Sequence, residues 1–283
     1  MAQGNESAQL TKPAKSFDPR LYQITSLATL LTYGFFWLHF DVSPSQIVLT
    51  IGTALLTQYA GTRFAKLPFF DPKSALISAL SLCLLLRTDH LAMAVMASVI
   101  AVGSKFIFRW RDKHLFNPTN LALAVMLATG LGWISPGQWG QVAWFGFLIA
   151  CLGCLVVTRA ARADVTLAFL AFYVGLLYAR ALWLGDPLAI PFHQIESGAL
   201  LIFAFFMISD PKTTPNSRTG RMIYALCVAL AALYIQFELF RPNGPLWGLI
   251  ACTPLVPLLD HLFPGARYVW TRPSTGSASP NSS

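Results

Sequence analysis

The chain alternates long apolar runs with short polar breaks rich in Pro, Asn and basic residues. Ten apolar runs can be marked, near 21–40, 45–61, 72–87, 91–108, 117–133, 141–158, 164–183, 196–209, 220–238 and 244–262. A helix that crosses a bilayer perpendicularly takes about 20 residues. Several of these runs are shorter, so the third, fifth and eighth are expected to be tilted, broken or re-entrant. The first run is longer than the apolar region of a secretion signal and ends in His-Phe-Asp-Val-Ser-Pro, without a small-residue cleavage site. It is expected to be a retained first helix. Residues 1–16 and 272–283 are polar tails without periodicity, expected to be disordered.

Composition turns this pattern into a class. Hydrophobic residues make up 55% of the chain and charged residues 11%, against about 25% charged in soluble domains. Mean hydropathy is +0.57. Too few polar groups remain to cover a soluble surface, so the expected fold is an all-α integral membrane domain of about ten helices over residues 17–271. The net charge of +8 does not indicate nucleic acid, because the basic residues fall in clusters between apolar runs. With the N-terminus in the cytoplasm, every Lys and Arg except Arg87, Arg180 and Arg241 lies on the cytoplasmic side. That asymmetry is the positive-inside signature. It supports ten spans with both termini cytoplasmic, in a bacterial plasma membrane, with membrane lipid as the first partner.

The chain also repeats itself. Leu-Phe-Asn-Pro-Thr-Asn at 115–120 returns as Leu-Phe-Arg-Pro-Asn-Gly at 239–244, and Ser-Ala-Leu at 74–76 returns as Ser-Gly-Ala-Leu from Ser197. The halves are about 17–135 and 136–271. An odd number of spans in each inverts the second half, an arrangement that places binding sites at the interface between repeats, often at broken helices.

Polar, proline-bearing helix ends carry the candidate chemistry. Asn117, Pro118, Thr119 and Asn120 open the fifth run. A helix start of this kind either caps itself or offers bare N–H groups to a phosphate or carboxylate. Asp210, Lys212, Thr213, Thr214 and Arg218 follow the eighth run and supply donors suited to a phosphate-bearing ligand. The alternative is a solvated loop held against anionic headgroups. Asn243 lies in the Pro-Asn-Gly-Pro turn before the last run, and Asp260 lies near its end. Cys151 and Cys154 share a helical face, but two thiols complete no common cluster, and small residues at a helix contact are the competing reading. Gln58, Thr158, Gln236 and Glu238 are polar groups within or at the ends of spans. No nucleotide-binding glycine loop, zinc spacing or hydrolytic triad is present, so no catalytic or metal-ligating residues are assigned.

The motifs over residues 203–267 carry a family resemblance. Phe-Met-Ile-Ser-Asp-Pro-Lys-Thr-Thr-Pro-Asn-Ser-Arg-Thr-Gly-Arg, then Pro-Asn-Gly, Pro-Leu-Leu-Asp-His and Arg-Tyr-Val resemble the D subunit of the Rnf electron-transport complex. They are also similar to the B subunit of the sodium-pumping NADH:quinone reductase. Phe-Asn-Pro-Thr-Asn resembles that family's Phe-Asn-Pro-Ala motif. The resemblance implies ten helices in two inverted halves, electron movement through flavin coupled to Na⁺ or H⁺, and partner subunits. It also implies a covalent FMN on a loop Thr between the fifth and sixth spans. Here the loop over 132–141, Gly-Trp-Ile-Ser-Pro-Gly-Gln-Trp-Gly-Gln, has no Thr. The expectation is therefore FMN or riboflavin held without a covalent bond, in a shortened branch similar to Rnf-D-like proteins beside enediyne-type biosynthetic genes. Two other classes stay open: a transporter or channel for a small polar solute or ion, and a membrane scaffold for a neighbouring soluble protein.

Overall fold

A repeated local signal starts the helices. In the computed structural model, which describes residues 18–110, 113–134 and 143–268, Pro follows an oxygen-bearing cap at four starts. Asp18 caps α1 (Pro19–Phe36), Ser43 caps α2 (Pro44–Phe64), Asp71 caps α3 (Pro72–Leu85) and Asn117 caps α5 (Pro118–Thr129). Each cap oxygen accepts from a first-turn N–H that the helix leaves unpaired, and Pro has none to lose there. Between α4 (Leu91–Ile107) and α5 a short hairpin pairs Arg109 with His114 and Trp110 with Lys113.

The second half comprises α6 (Ala143–Arg159), α7 (Ala163–Leu184), α8 (Ala189–Ile195), α9 (Gly198–Ile202), α10 (Arg218–Phe237), α11 (Gly244–Cys252) and α12 (Leu255–Leu262). A wider π-helical turn, Phe203–Met207, continues α9. Such a turn disturbs the regular carbonyl pairing. Here Thr166 of α7 donates to the Ala204 carbonyl at 2.8 Å and Ser209 donates to the Phe205 carbonyl at 2.5 Å.

Among the described residues the protein is all-α apart from the hairpin and one isolated bridge between Arg87 and Trp133. Among the described residues, α7 and α10 are each long and apolar enough to cross a membrane, and two bent pairs qualify if each is one span. Those pairs are α8 with α9, bent by 54°, and α11 with α12, bent by 55°. The first bend falls at Glu196–Ser197, so the run marked from 196 begins inside a broken segment whose leading helix, α8, the apolar pattern missed. The second bend, at Thr253–Pro254, interrupts a run expected to be continuous. Pro254 has no N–H to give the preceding turn, and the Thr253 hydroxyl bonds back to the Leu249 carbonyl at 2.9 Å. The fifth run is α5, which has 12 residues. At 1.5 Å per residue it covers about 18 Å, short of a hydrocarbon core of about 30 Å.

Three of the first half's helix pairings recur in the second. α2 packs on α4, and α7 on α10; α1 packs on α3, and α6 on α9; α4 packs on α5, and α10 on α11. Across the halves α1 meets α6 and α5 meets α11. One apolar core runs through both, with Leu27, Phe145, Phe203 and Tyr224 buried in it. Most ion pairs among the described residues gather at one end, called the basic end below, although Arg180 with Asp186 and His193 with Glu196 lie away from it. Asp18 bonds Arg20 and Lys73, each at 2.8 Å; Arg20 also reaches Asp71; Asp164 bonds Arg221. At the opposite end Arg87, 1% exposed, gives its guanidinium to the carbonyls of Cys83, Leu84 and Leu86.

Candidate functional site

The first turns of α5 and α11 meet inside the molecule. Asn120 of α5 donates from Nδ2 to the Leu246 carbonyl of α11 at 3.0 Å. A cavity opens beyond each helix start, one toward the basic end and one toward the opposite end. The inner cavity, about 250 Å³, lies over the start of α5. The opposite cavity, about 390 Å³, lies over the start of α11 and is lined by Ser197, Tyr173, Gln236 and Asn243. Ser74 lines the first cavity and Ser197 the second, the same two positions that the sequence repeat matches.

The inner cavity is lined by both halves. Asn117 spends its Oδ1 capping α5 and turns Nδ2 to the Met207 carbonyl at 3.3 Å and Asp210 at 3.4 Å. Lys105, 4% exposed at the end of α4, donates to the Ser74 carbonyl at 2.8 Å. Gln58, 8% exposed on α2, keeps a buried Oε1 without a hydrogen-bond partner. Phe106, Ile77 and Phe206 add apolar wall. Asp210 keeps part of its side chain open to this cavity while lying deep in the protein. Burial pushes its carboxyl above the usual range, against the Lys212 N–H and the positive charges of Lys105, Lys212 and Arg162. Burial, aided by Lys105, Arg109 and Lys212, pushes His114 down to about 3. Its ring is therefore neutral at ordinary pH, with Nδ1 unpartnered.

A third cavity, about 460 Å³, forms a mouth at the basic end between the hairpin, the loop after α9 and the strap that follows α12. Lys212 lines both this mouth and the inner cavity.

The residues marked from sequence divide among these places. Asn117, Thr119, Asp210 and Lys212 line the inner cavity. Asn243, in a left-handed conformation with φ of 61°, lines the opposite one. Asp260 lines the mouth, where it is the paired member of a charged cluster and not an isolated helix-end group. It accepts from Lys113 Nζ and from the Asn216 N–H, each at 2.7 Å. Asn120 holds the two halves together. Thr213 and Thr214 brace the loop, their hydroxyls donating to the Asp210 carbonyl at 3.4 and 3.0 Å. Arg218 is exposed on the first turn of α10 and lines none of the three cavities. Residues 135–141 of the loop that lacks Thr fall outside the described residues. Lys105 and His114 were not marked as site residues. Lys105 lies near the end of the fourth apolar run and His114 in the polar break after it, and only their contacts bury them.

Comparison with known proteins places this architecture. Residues 129–268 match the family described as NQR2, RnfD, RnfE. The match covers just under half of the chain, which is similar to this family over that stretch. Its relatives include the D subunit of an ion-translocating oxidoreductase complex from Erwinia tasmaniensis, 31% identical over 47% of this chain and 35% of the relative. The protein of the same description from Escherichia coli is 32% identical over 48% of this chain and 36% of that protein. Its Klebsiella pneumoniae counterpart is 33% identical over 47% and 35%. The matched stretch thus spans about a third of these relatives' length. Within the family match lie Asp210, Lys212, Asn243 and Asp260; the first-half residues Gln58, Lys105 and Asn117, which complete the inner cavity, lie before it.

Proposed function

We propose that this chain is a membrane subunit of an electron-transport assembly and that its inner cavity holds FMN or riboflavin without a covalent bond. The observation that carries the reading is the lining of that cavity. A flavin ring system has apolar faces and an edge that mixes hydrogen-bond acceptors with an N–H donor. Phe106, Ile77 and Phe206 offer the apolar wall. Lys105 and Asn117 offer donors, and the unpartnered Gln58 Oε1 offers a buried acceptor whose burial without a bond costs about 1–3 kcal/mol. A bound flavin supplies one- and two-electron transfer; the residues fix its orientation and keep water from its edge.

The wider reading is ten crossings in two inverted halves, both termini in the cytoplasm, in a bacterial plasma membrane. The matched packing and the meeting of α5 and α11 favour it. Partner subunits, and coupling to Na⁺ or H⁺, are proposed because the relatives are named as subunits of an ion-translocating complex. The test is an absorption spectrum of the detergent-purified chain, followed by denaturation. Flavin bands with release of free flavin are expected, reduced in Gln58→Leu. A spectrum without flavin, from protein expressed with riboflavin supplied, overturns the cofactor reading.

A second reading is a transporter or channel for a small polar solute or ion. The two cavities facing opposite ends across the α5–α11 contact favour it. Flux into proteoliposomes no faster than into empty vesicles rules it out.

A further inference from the structure

Very little of α3 divides the two cavities that face opposite ends. Ser81 of that helix lines the inner cavity and Leu85 lines the opposite one. At 1.5 Å per residue, about 6 Å of helix separates them. That turn is the last of α3, and Leu82, Cys83, Leu84, Leu85 and Leu86 are all buried. From Cys83 onward the carbonyls have no partner within the helix and no water to turn to. They also form the negative end of the helix dipole. A buried helix C-terminus of this kind is a seat for a small cation.

The chain fills this seat itself. Arg87 donates from Nη1 to the Cys83 carbonyl at 3.0 Å and the Leu86 carbonyl at 2.8 Å, and from Nη2 to the Leu84 carbonyl at 3.3 Å. Its backbone is pinned by a two-way bridge to Trp133, 2.9 Å in each direction. The Phe40 ring faces the guanidinium at 5.7 Å. Among the described residues no carboxylate forms an ion pair with it, and the exposed Asp41 acts only at longer range. Satisfying the carbonyls does not require a charge. A neutral amide offers N–H groups without the desolvation cost of a cation. A full charge held inside a membrane protein points to a function. The helix matched by the sequence repeat ends differently. At the offset that matches Ser74 to Ser197, Arg87 matches Asp210, which lines the inner cavity. One helix end is an acid beside a cavity, and the other is closed by a fixed cation.

We propose that Arg87 is a tethered cation that occupies a monovalent-cation seat at the end of α3 and seals the septum between the two cavities against Na⁺. The proposal rests on the two cavities facing opposite sides of the membrane, and not on the flavin. It is tested on the full chain in proteoliposomes that hold a sodium-sensitive dye. Arg87→Gln keeps N–H donors for the carbonyls and removes the charge. Na⁺ entry is expected to rise at least about tenfold over wild type. A like charge about 5 Å away, at an effective dielectric of about 20, sets a ceiling of about two orders of magnitude. Arg87→Lys keeps the charge with fewer donors and is expected to stay as tight as wild type. Entry through Arg87→Gln no faster than through wild type overturns the seal, as does an Arg87→Lys chain that leaks as fast as Arg87→Gln. In either case the side chain is a helix cap only. Arg87→Ala, purified in guanidinium, carries the same decision without either of those variants. Removing guanidinium should open the leak, and restoring it at millimolar concentration should close it, whereas choline should not. A leak that guanidinium leaves unchanged, or no leak in its absence, overturns the proposal. Sidedness is read separately, by impermeant maleimide on Ser74→Cys and Ser197→Cys, so a failure of the two-sided reading is told apart from a failure of the seal.

Discussion

Lys105 and Asp18 show how a single charge can serve different ends. Lys105 is buried at the end of an apolar helix, with its ammonium on the Ser74 carbonyl. A buried charge adds little stability beyond an apolar group of the same shape, because its desolvation offsets the bonds it makes. Lys105→Met is accordingly expected to leave the melting temperature of the detergent-purified chain unchanged or raised, while lowering its flavin content. A loss of stability without a loss of flavin would mark the lysine as structural. Asp18 is a stabilising charge. Burial alone raises its carboxyl, but the bonds from Arg20 and Lys73 overcome this and hold it at about 2, against an ordinary 3.8. Its contribution is therefore fully present above about pH 4 and is lost as pH falls through about 2. Thermal melts by circular dichroism should show Asp18→Asn less stable than wild type at neutral pH, with the gap closing across that acid window.

At the scale of elements, short helices are held by close backbone approach. An added Cβ at Gly248 of α11 would stand 2.9 Å from the Val228 carbonyl and the Ala232 nitrogen of α10. Backbone cannot yield as a flexible side chain can, so Gly248→Val should destabilise by about 1–3 kcal/mol or expel α11 from its seat. Gly103, in the interior of α4, meets nothing within 4 Å. There Gly→Ala should stabilise by about 0.5–1 kcal/mol, since only conformational entropy changes. Chemical unfolding of the two variants checks both signs. The helix starts were legible because a cap and a Pro act within one turn. The break at Pro254 was less so, since Pro also sits harmlessly at helix starts and its effect depends on where the preceding helix runs.

For the whole molecule, the proposed inverted arrangement predicts opposite exposure for residues paired by the sequence repeat. Ser74 lines the inner cavity and Ser197 the opposite one. In a background with the native cysteines removed, Ser74→Cys and Ser197→Cys should react with a membrane-impermeant maleimide from opposite sides of sealed vesicles. Labelling of both from one side would sink the inverted arrangement. The assembly of the inner cavity also belongs to this scale. Gln58, Lys105, Asn117 and Asp210 come from four separate segments and meet only because α2, α4, α5 and the loop after α9 converge.

By itself the sequence determined the class of protein, an apolar helical membrane chain, because composition and run length are summed over residues and need no partner. It also located most helix starts. Only the tertiary structure decided which polar groups line cavities and which are spent on partners. Thr213 and Thr214 look like ligand donors in a list of residues, but their hydroxyls close on the Asp210 carbonyl. Lys105 reads as one of several basic residues at a helix end, but it is sealed against Ser74. Asp260 reads as a lone helix-end acid, but it is bound by Lys113 from far along the chain. The physical reason is the same in each case: a hydrogen bond or ion pair between distant residues is set by how the helices pack, and no local pattern encodes which polar group will find its partner.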